Sequence, residues 1–73
     1  GDVPGGIKSN MQGMVLQVLT QKGSTVKKGD TLIVLEAMKM ENPIRSPRDG
    51  TVEEIFVDAG DVVQNGDVLM VVE

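Results

Sequence analysis

With 73 residues, a formal net charge of −4 and neither cysteine nor histidine, this chain has room for one small domain and a short chemical menu. Those absences rule out a disulfide framework, thiolate chemistry and histidine-based zinc or acid–base sites. The acidic balance carries no basic stripe for nucleic acid, and the longest apolar run, Val68 to Val72, is far short of the roughly 20 residues that insert across a bilayer.

Neither nucleic acid nor direct membrane insertion is therefore expected, and a cysteine-free chain fits a cytoplasmic location. Hydrophobic residues make up 40% of the sequence, the sole aromatic is Phe56, and nine glycines and three prolines punctuate valine-rich runs. That composition favours strands joined by turns.

In chain order, residues 1–6 end in Val3-Pro4-Gly5-Gly6 and read as a linker remnant, so a domain belonging to a longer chain or subunit is expected. The rest is one unit written twice. At an offset of 37, Ser9 to Glu36 align with Ser46 to Glu73 without a gap. Gly13 falls on Gly50, Val15 on Val52, Gly23 on Gly60, Val26 on Val63, Gly29-Asp30 on Gly66-Asp67, and Glu36 on Glu73.

Each copy opens at Gly13 or Gly50, expected at a turn, and continues into a strand over 14–19 or 51–57. Its shared apolar positions, Val15 and Val18 or Val52 and Ile55, break strict alternation, which predicts a bulge in both copies. A turn at Gly23 or Gly60 follows, then a lone residue expected to be buried, Val26 or Val63. Lys27-Lys28-Gly29-Asp30 and Gln64-Asn65-Gly66-Asp67 read as tight turns with glycine at positive φ. A buried strand over 31–35 or 68–72 closes the copy. No window sustains a helical period. Two copies are too few for a solenoid, so two half-sheets are expected to close into a flattened all-β barrel with pseudo-twofold symmetry.

Between the copies lies the segment 37–45, expected to be a protruding hairpin, symmetry-related to the chain end and therefore at the opposite end of the barrel. Lys39 sits in it between Met38 and Met40. An exposed lysine is a weak nucleophile unaided, which suits a residue modified by a separate activating enzyme. The methionines are either adaptable docking groups or, for one of them, packing. Glu36 has a repeat partner in Glu73, which favours a structural or solubilising role, while Glu41 has none and is either a solvated charge or a recognition contact.

The run Glu36-Ala37-Met38-Lys39-Met40 resembles the biotinylation signature of biotin carboxyl carrier domains of biotin-dependent carboxylases and decarboxylases. The likeness extends to the two-copy architecture, to Asn42 to Ile44 and to Ser46 to Gly50. It implies a barrel-sandwich hybrid of two four-stranded antiparallel sheets and biotin amide-linked to Lys39. Ala37, Met38, Met40, Glu36 and Glu41 would be its recognition residues, with no catalytic or metal-binding residue in the domain itself.

Implied partners are a biotin protein ligase, a biotin carboxylase and a carboxyltransferase, between which the arm would shuttle a carboxyl group. The family usually has proline-containing text where this chain reads Ser9-Asn10-Met11-Gln12, a local departure. The gapless halves leave no room for the thumb found in one branch of the family. Two alternatives share the fold. A lipoyl carrier typically has aspartate before the lysine and alanine after it, unlike Met38 and Met40. An unmodified interaction domain of the efflux-adaptor kind carries a helical insertion.

Overall fold

The computed structural model describes residues 3–73, and every regular element among them is a strand. In order these are β1 (Gly6–Lys8), β2 (Gly13–Val18), β3 (Thr25–Val26), β4 (Thr31–Ala37), β5 (Met40–Arg45), β6 (Gly50–Ile55), β7 (Val62–Val63) and β8 (Val68–Val72). They form two four-stranded antiparallel sheets, ordered β1-β8-β6-β3 and β5-β4-β2-β7. The sheets enclose one core of Ile7, Val15, Val26, Leu32, Ile33, Leu35, Ile44, Val52, Val63, Leu69, Met70 and Val72. The body is flattened, 31 × 26 × 18 Å. The all-β barrel of two four-stranded sheets agrees with the sequence expectation.

The bulges fall where the apolar spacing placed them. Pairing of β2 with β4 shifts between Val15 and Gln17, and that of β6 with β8 between Val52 and Glu54. A second matched pair was not foreseen: β4 shifts against β5 between Thr31 and Ile33, and β1 against β8 between Ile7 and Lys8. An extra residue bends the strand and upsets alternation. That is how consecutive residues, Leu32-Ile33 and Leu69-Met70, are both buried. Leu32 and Leu69 stay paired through their carbonyls, which accept from Leu19 N (2.8 Å) and Phe56 N (2.9 Å).

Four expectations are corrected. The halves do not each build one sheet. The first sheet takes β1 and β3 from the first copy and β6 and β8 from the second; the other takes β2 and β4 from the first and β5 and β7 from the second. Neither half can satisfy its backbone alone, because four of the six ladders cross between copies. The serines that open the aligned copies show the interlock. Ser9 N donates to Asp67 O and Gly66 N to Ser9 O, while Ser46 N donates to Asp30 O and Gly29 N to Ser46 O, all at 2.8 Å. Both serines are buried, and each hydroxyl donates two residues ahead, to Met11 O or Arg48 O, at 2.6 Å.

The repeat also begins earlier than Ser9. Ile7 and Ile44, 37 residues apart, are both core residues, on β1 and β5. The segment 37–45 is therefore not wholly unrepeated. Gly5 and Gly6 are likewise part of the barrel and not linker: Gly6 starts β1, and Val72 N donates to Gly5 O at 2.9 Å. Residues 1 and 2 lie outside the described residues. Finally, Gly13 and Gly50 begin strands and not turns. A Cβ on Gly13 would lie 2.6 Å from Glu36 O, and one on Gly50 2.9 Å from the Glu73 carbonyl, so close backbone approach is what requires glycine there. By contrast Gly29 and Gly66 have the expected positive φ, 92° each.

Candidate functional site: a lysine at the tip of a left-handed turn

Strand β4 runs out of the core at Ala37 and β5 returns from Met40, with Ala37 and Met40 paired across the ladder. Only Met38 and Lys39 lie between, a two-residue turn with φ of 53° and 63°. Positive φ at both central positions is the type I′ geometry, whose twist matches that of the flanking strands. It is normally built from asparagine and glycine. A side chain in the left-handed region costs roughly 1–2 kcal/mol per residue, so the turn holds strain at its tip.

The ladder below offsets that strain. Ala37↔Met40, Glu36↔Glu41, Leu35↔Asn42, Val34↔Pro43 and Ile33↔Ile44 pair in register, and the lower rungs anchor in the core through Ile33, Leu35 and Ile44. The Asn42 carboxamide adds a local tie, donating from Nδ2 to Met40 O at 3.1 Å and, at the long limit, to Ala37 O at 3.5 Å.

Every residue singled out from the sequence is in this hairpin. Lys39 is exposed at its tip. Met38 is 93% and Met40 65% exposed, so neither methionine packs down. Ala37 is half-buried at the root of the turn. Glu36 and Glu41 are exposed and directly opposite one another, a like-charge pairing mildly unfavourable in an isolated sheet. Glu36 also pairs with Met14 on β2.

Beside the turn runs a groove lined by Met11, Gly13, Ala37, Met38 and Met40 together with the polar Gln12, Glu36 and Asn42. Sequence reasoning gave Met11, Gly13 and Asn42 no part in the site. A signal for Asn42 existed: its counterpart 37 residues earlier is Gly5, so its side chain is peculiar to the half that begins at the turn. Among the described residues no three acidic side chains are arranged to hold a metal ion, and no helix is long and apolar enough to cross a membrane.

Gly13 links the fold to the site, because its missing Cβ lets β2 lie against Glu36 and Ala37. Gly13→Ala should destabilise the domain by about 1–3 kcal/mol, the usual cost of overpacking. Thermal unfolding should read this as a loss of at least about 4 °C. An unchanged midpoint would mean that β2 moves aside freely.

An exposed lysine at the tip of a strained, core-anchored hairpin, on an all-β body of two interlocked copies, is the architecture of a carrier domain. The family described as biotin-requiring enzyme matches residues 3–72, and the chain belongs to that family as a biotinyl domain. It is 51% identical over 41 residues to the gamma subunit of methylmalonyl-CoA decarboxylase of Veillonella parvula, covering 56% of this chain and 32% of that one. It is 46% identical over 44 residues to the pyruvate carboxylase of Bacillus subtilis, over 60% of this chain but 4% of that one. The chain thus spans a third or less of these relatives. Among solved structures, the urea carboxylase of Kluyveromyces lactis superposes with a TM-score of 0.90 at 30% identity, over 100% of this chain and 6% of that one. A single-chain, multi-domain long-chain acyl-CoA carboxylase gives 0.87 at 32% identity, over 96% and 7%.

Proposed function

We propose that Lys39 is the attachment site for biotin, held in amide linkage, and that this domain carries a carboxyl group between two enzymes without making or breaking its bonds. The observation that carries the reading is Lys39 itself, exposed at the tip of the left-handed turn between two exposed methionines. The residues present fit the group: the amine stands clear of the body, and the adjoining groove gives a modifying enzyme apolar surface to grip.

A biotin protein ligase would supply the activated acyl group. Lys39 Nζ then forms the amide, with loss of its proton and departure of the activating nucleotide. Met38 and Met40 offer polarizable, adaptable contact to several partners in turn. Ala37 leaves room at the root of the turn, and Glu36 and Glu41 present negative charge beside it. Once bound, biotin supplies a ureido nitrogen able to carry a carboxyl group.

The role of the barrel is mechanical. It fixes the root of a long flexible arm, so that delivery to the second site becomes a tethered encounter at high effective concentration. A biotin carboxylase, using ATP and bicarbonate, would be the donor site, and a carboxyltransferase acting on an acyl-CoA or keto acid the acceptor. The activities for which the relatives are named, a decarboxylase and a pyruvate carboxylase, support both directions of such transfer. The lipoyl reading is weaker, because Met38 and Met40 stand where that family typically has aspartate and alanine.

The test is to load the domain with biotin and present it to a biotin carboxylase with ATP and labelled bicarbonate. Acid-labile label on the loaded domain, and none on the unloaded one, is the expected result. Equal label on both would overturn the carrier role.

A further inference from the structure

We infer that Asn42 is a positioning residue for modification of Lys39, acting by holding the left-handed turn in a single conformation. This rests on the reading that Lys39 is the attachment site. Met38 and Lys39 occupy a backbone region that glycine or asparagine normally fills, with φ of 53° and 63°. Side chains of that kind resist it, so something outside the two residues has to hold the turn closed.

The ladder ends at Ala37↔Met40, and the carbonyls of those two residues are the ones that Asn42 engages. Its Nδ2 donates to Met40 O at 3.1 Å and to Ala37 O at 3.5 Å. One planar amide with two donors thereby reaches both sides of the turn.

The repeat gives an independent argument. The side-chain bonds that shape the shared turns recur in both halves: Ser9 with Met11 and Ser46 with Arg48, and Asp30 with Lys27 N and Asp67 with Gln64 N. The Asn42 bonds do not, because the equivalent position is Gly5. Both acceptors of the Asn42 tie, the carbonyls of Ala37 and Met40, flank the turn carrying Lys39, which occurs once in the two-copy chain.

An ordered turn keeps Lys39 in the arrangement a modifying enzyme meets. If Asn42 is removed, the competent arrangement becomes a fraction of the population. The apparent affinity for the ligase then falls by that fraction, while turnover of bound substrate is unchanged.

The experiment uses the 73-residue chain with Asn42→Ala and Asn42→Asp, the second keeping the shape but replacing the donors with acceptors. NMR reads the strong intraresidue HN–Hα crosspeaks that positive φ produces at Met38 and Lys39. A biotin ligase assay then separates kcat from KM.

The expected result is loss or averaging of those crosspeaks in both variants with the core signals unchanged. The ligase KM should rise about tenfold at constant kcat, with Asn42→Asp at least as affected as Asn42→Ala. Retention of both crosspeaks, or a fall in kcat with KM unchanged, overturns the inference. If the unsubstituted chain accepts no biotin, the attachment reading fails. The NMR comparison still decides whether Asn42 holds the turn.

Discussion

Incubated with an active biotin ligase, biotin and ATP, the chain should gain the mass of one biotinyl amide, and Lys39→Ala should gain none. The expected effect is all or none, because the reaction needs an amine and the other lysines lack this setting. Lys22 is engaged with Glu54 at 3.2 Å. Lys27 and Lys28 lie in the turn tied by Asp30 and Asp49 through their backbone amides, and Lys8 is on the edge strand β1. None of these stands in a two-residue left-handed hairpin. Lys39→Arg makes the sharper control: it keeps the positive charge but replaces the primary amine. Intact-mass measurement decides the matter. Modification of either variant would move the site elsewhere, and a lipoyl-sized gain would move the domain to the other carrier class.

The second large effect should be on stability. Leu35 is fully buried on β4, between the two bulged ladders. Truncation of such a leucine typically costs about 2–5 kcal/mol, since the lost transfer energy is joined by a cavity that the neighbours only partly fill. A domain of this length holds a total stability of only about 4–11 kcal/mol. Leu35→Ala should therefore consume a large part of it and lower the thermal midpoint by at least about 8 °C. Leu19→Ala, at a side chain 52% exposed, should stay within about 0.5 kcal/mol. Equal midpoints for the two would mean that the core relaxes around Leu35. Because β4 leads directly into the turn, the Leu35 variant should also show wider dynamics at Met38 and Lys39 well below its unfolding temperature.

Much of this protein was legible in the sequence, for identifiable reasons. Turn chemistry is local, so Gly29 and Gly66 could be placed at positive φ from their flanking residues alone. Apolar spacing is also local, and the three-residue steps from Val15 to Val18 and from Val52 to Ile55 marked the first pair of bulges. Internal repetition compounds these signals, since an accident seldom occurs twice at the same offset. The hairpin carrying Lys39 stood out as the interruption of the repeat, and the candidate residues came with it.

What the sequence did not disclose depends on contacts between residues distant in the chain. Which strand joins which sheet is set by pairing across the two copies, and a run such as Val68 to Val72 pairs equally well on paper with either half. Gly13 read as a turn residue because glycine signals backbone freedom; only the approach of Glu36 reveals that it is there for lack of a side chain. The strain at Met38 and Lys39 was hidden for a similar reason. Neither residue favours positive φ, and the conformation exists because β4 and β5, fixed in register by Ile33, Leu35 and Ile44, leave two residues to close the loop. Local composition thus determined the class of fold and singled out Lys39 as the candidate site, whereas long-range pairing decided the interleaving of the sheets and the geometry that presents Lys39.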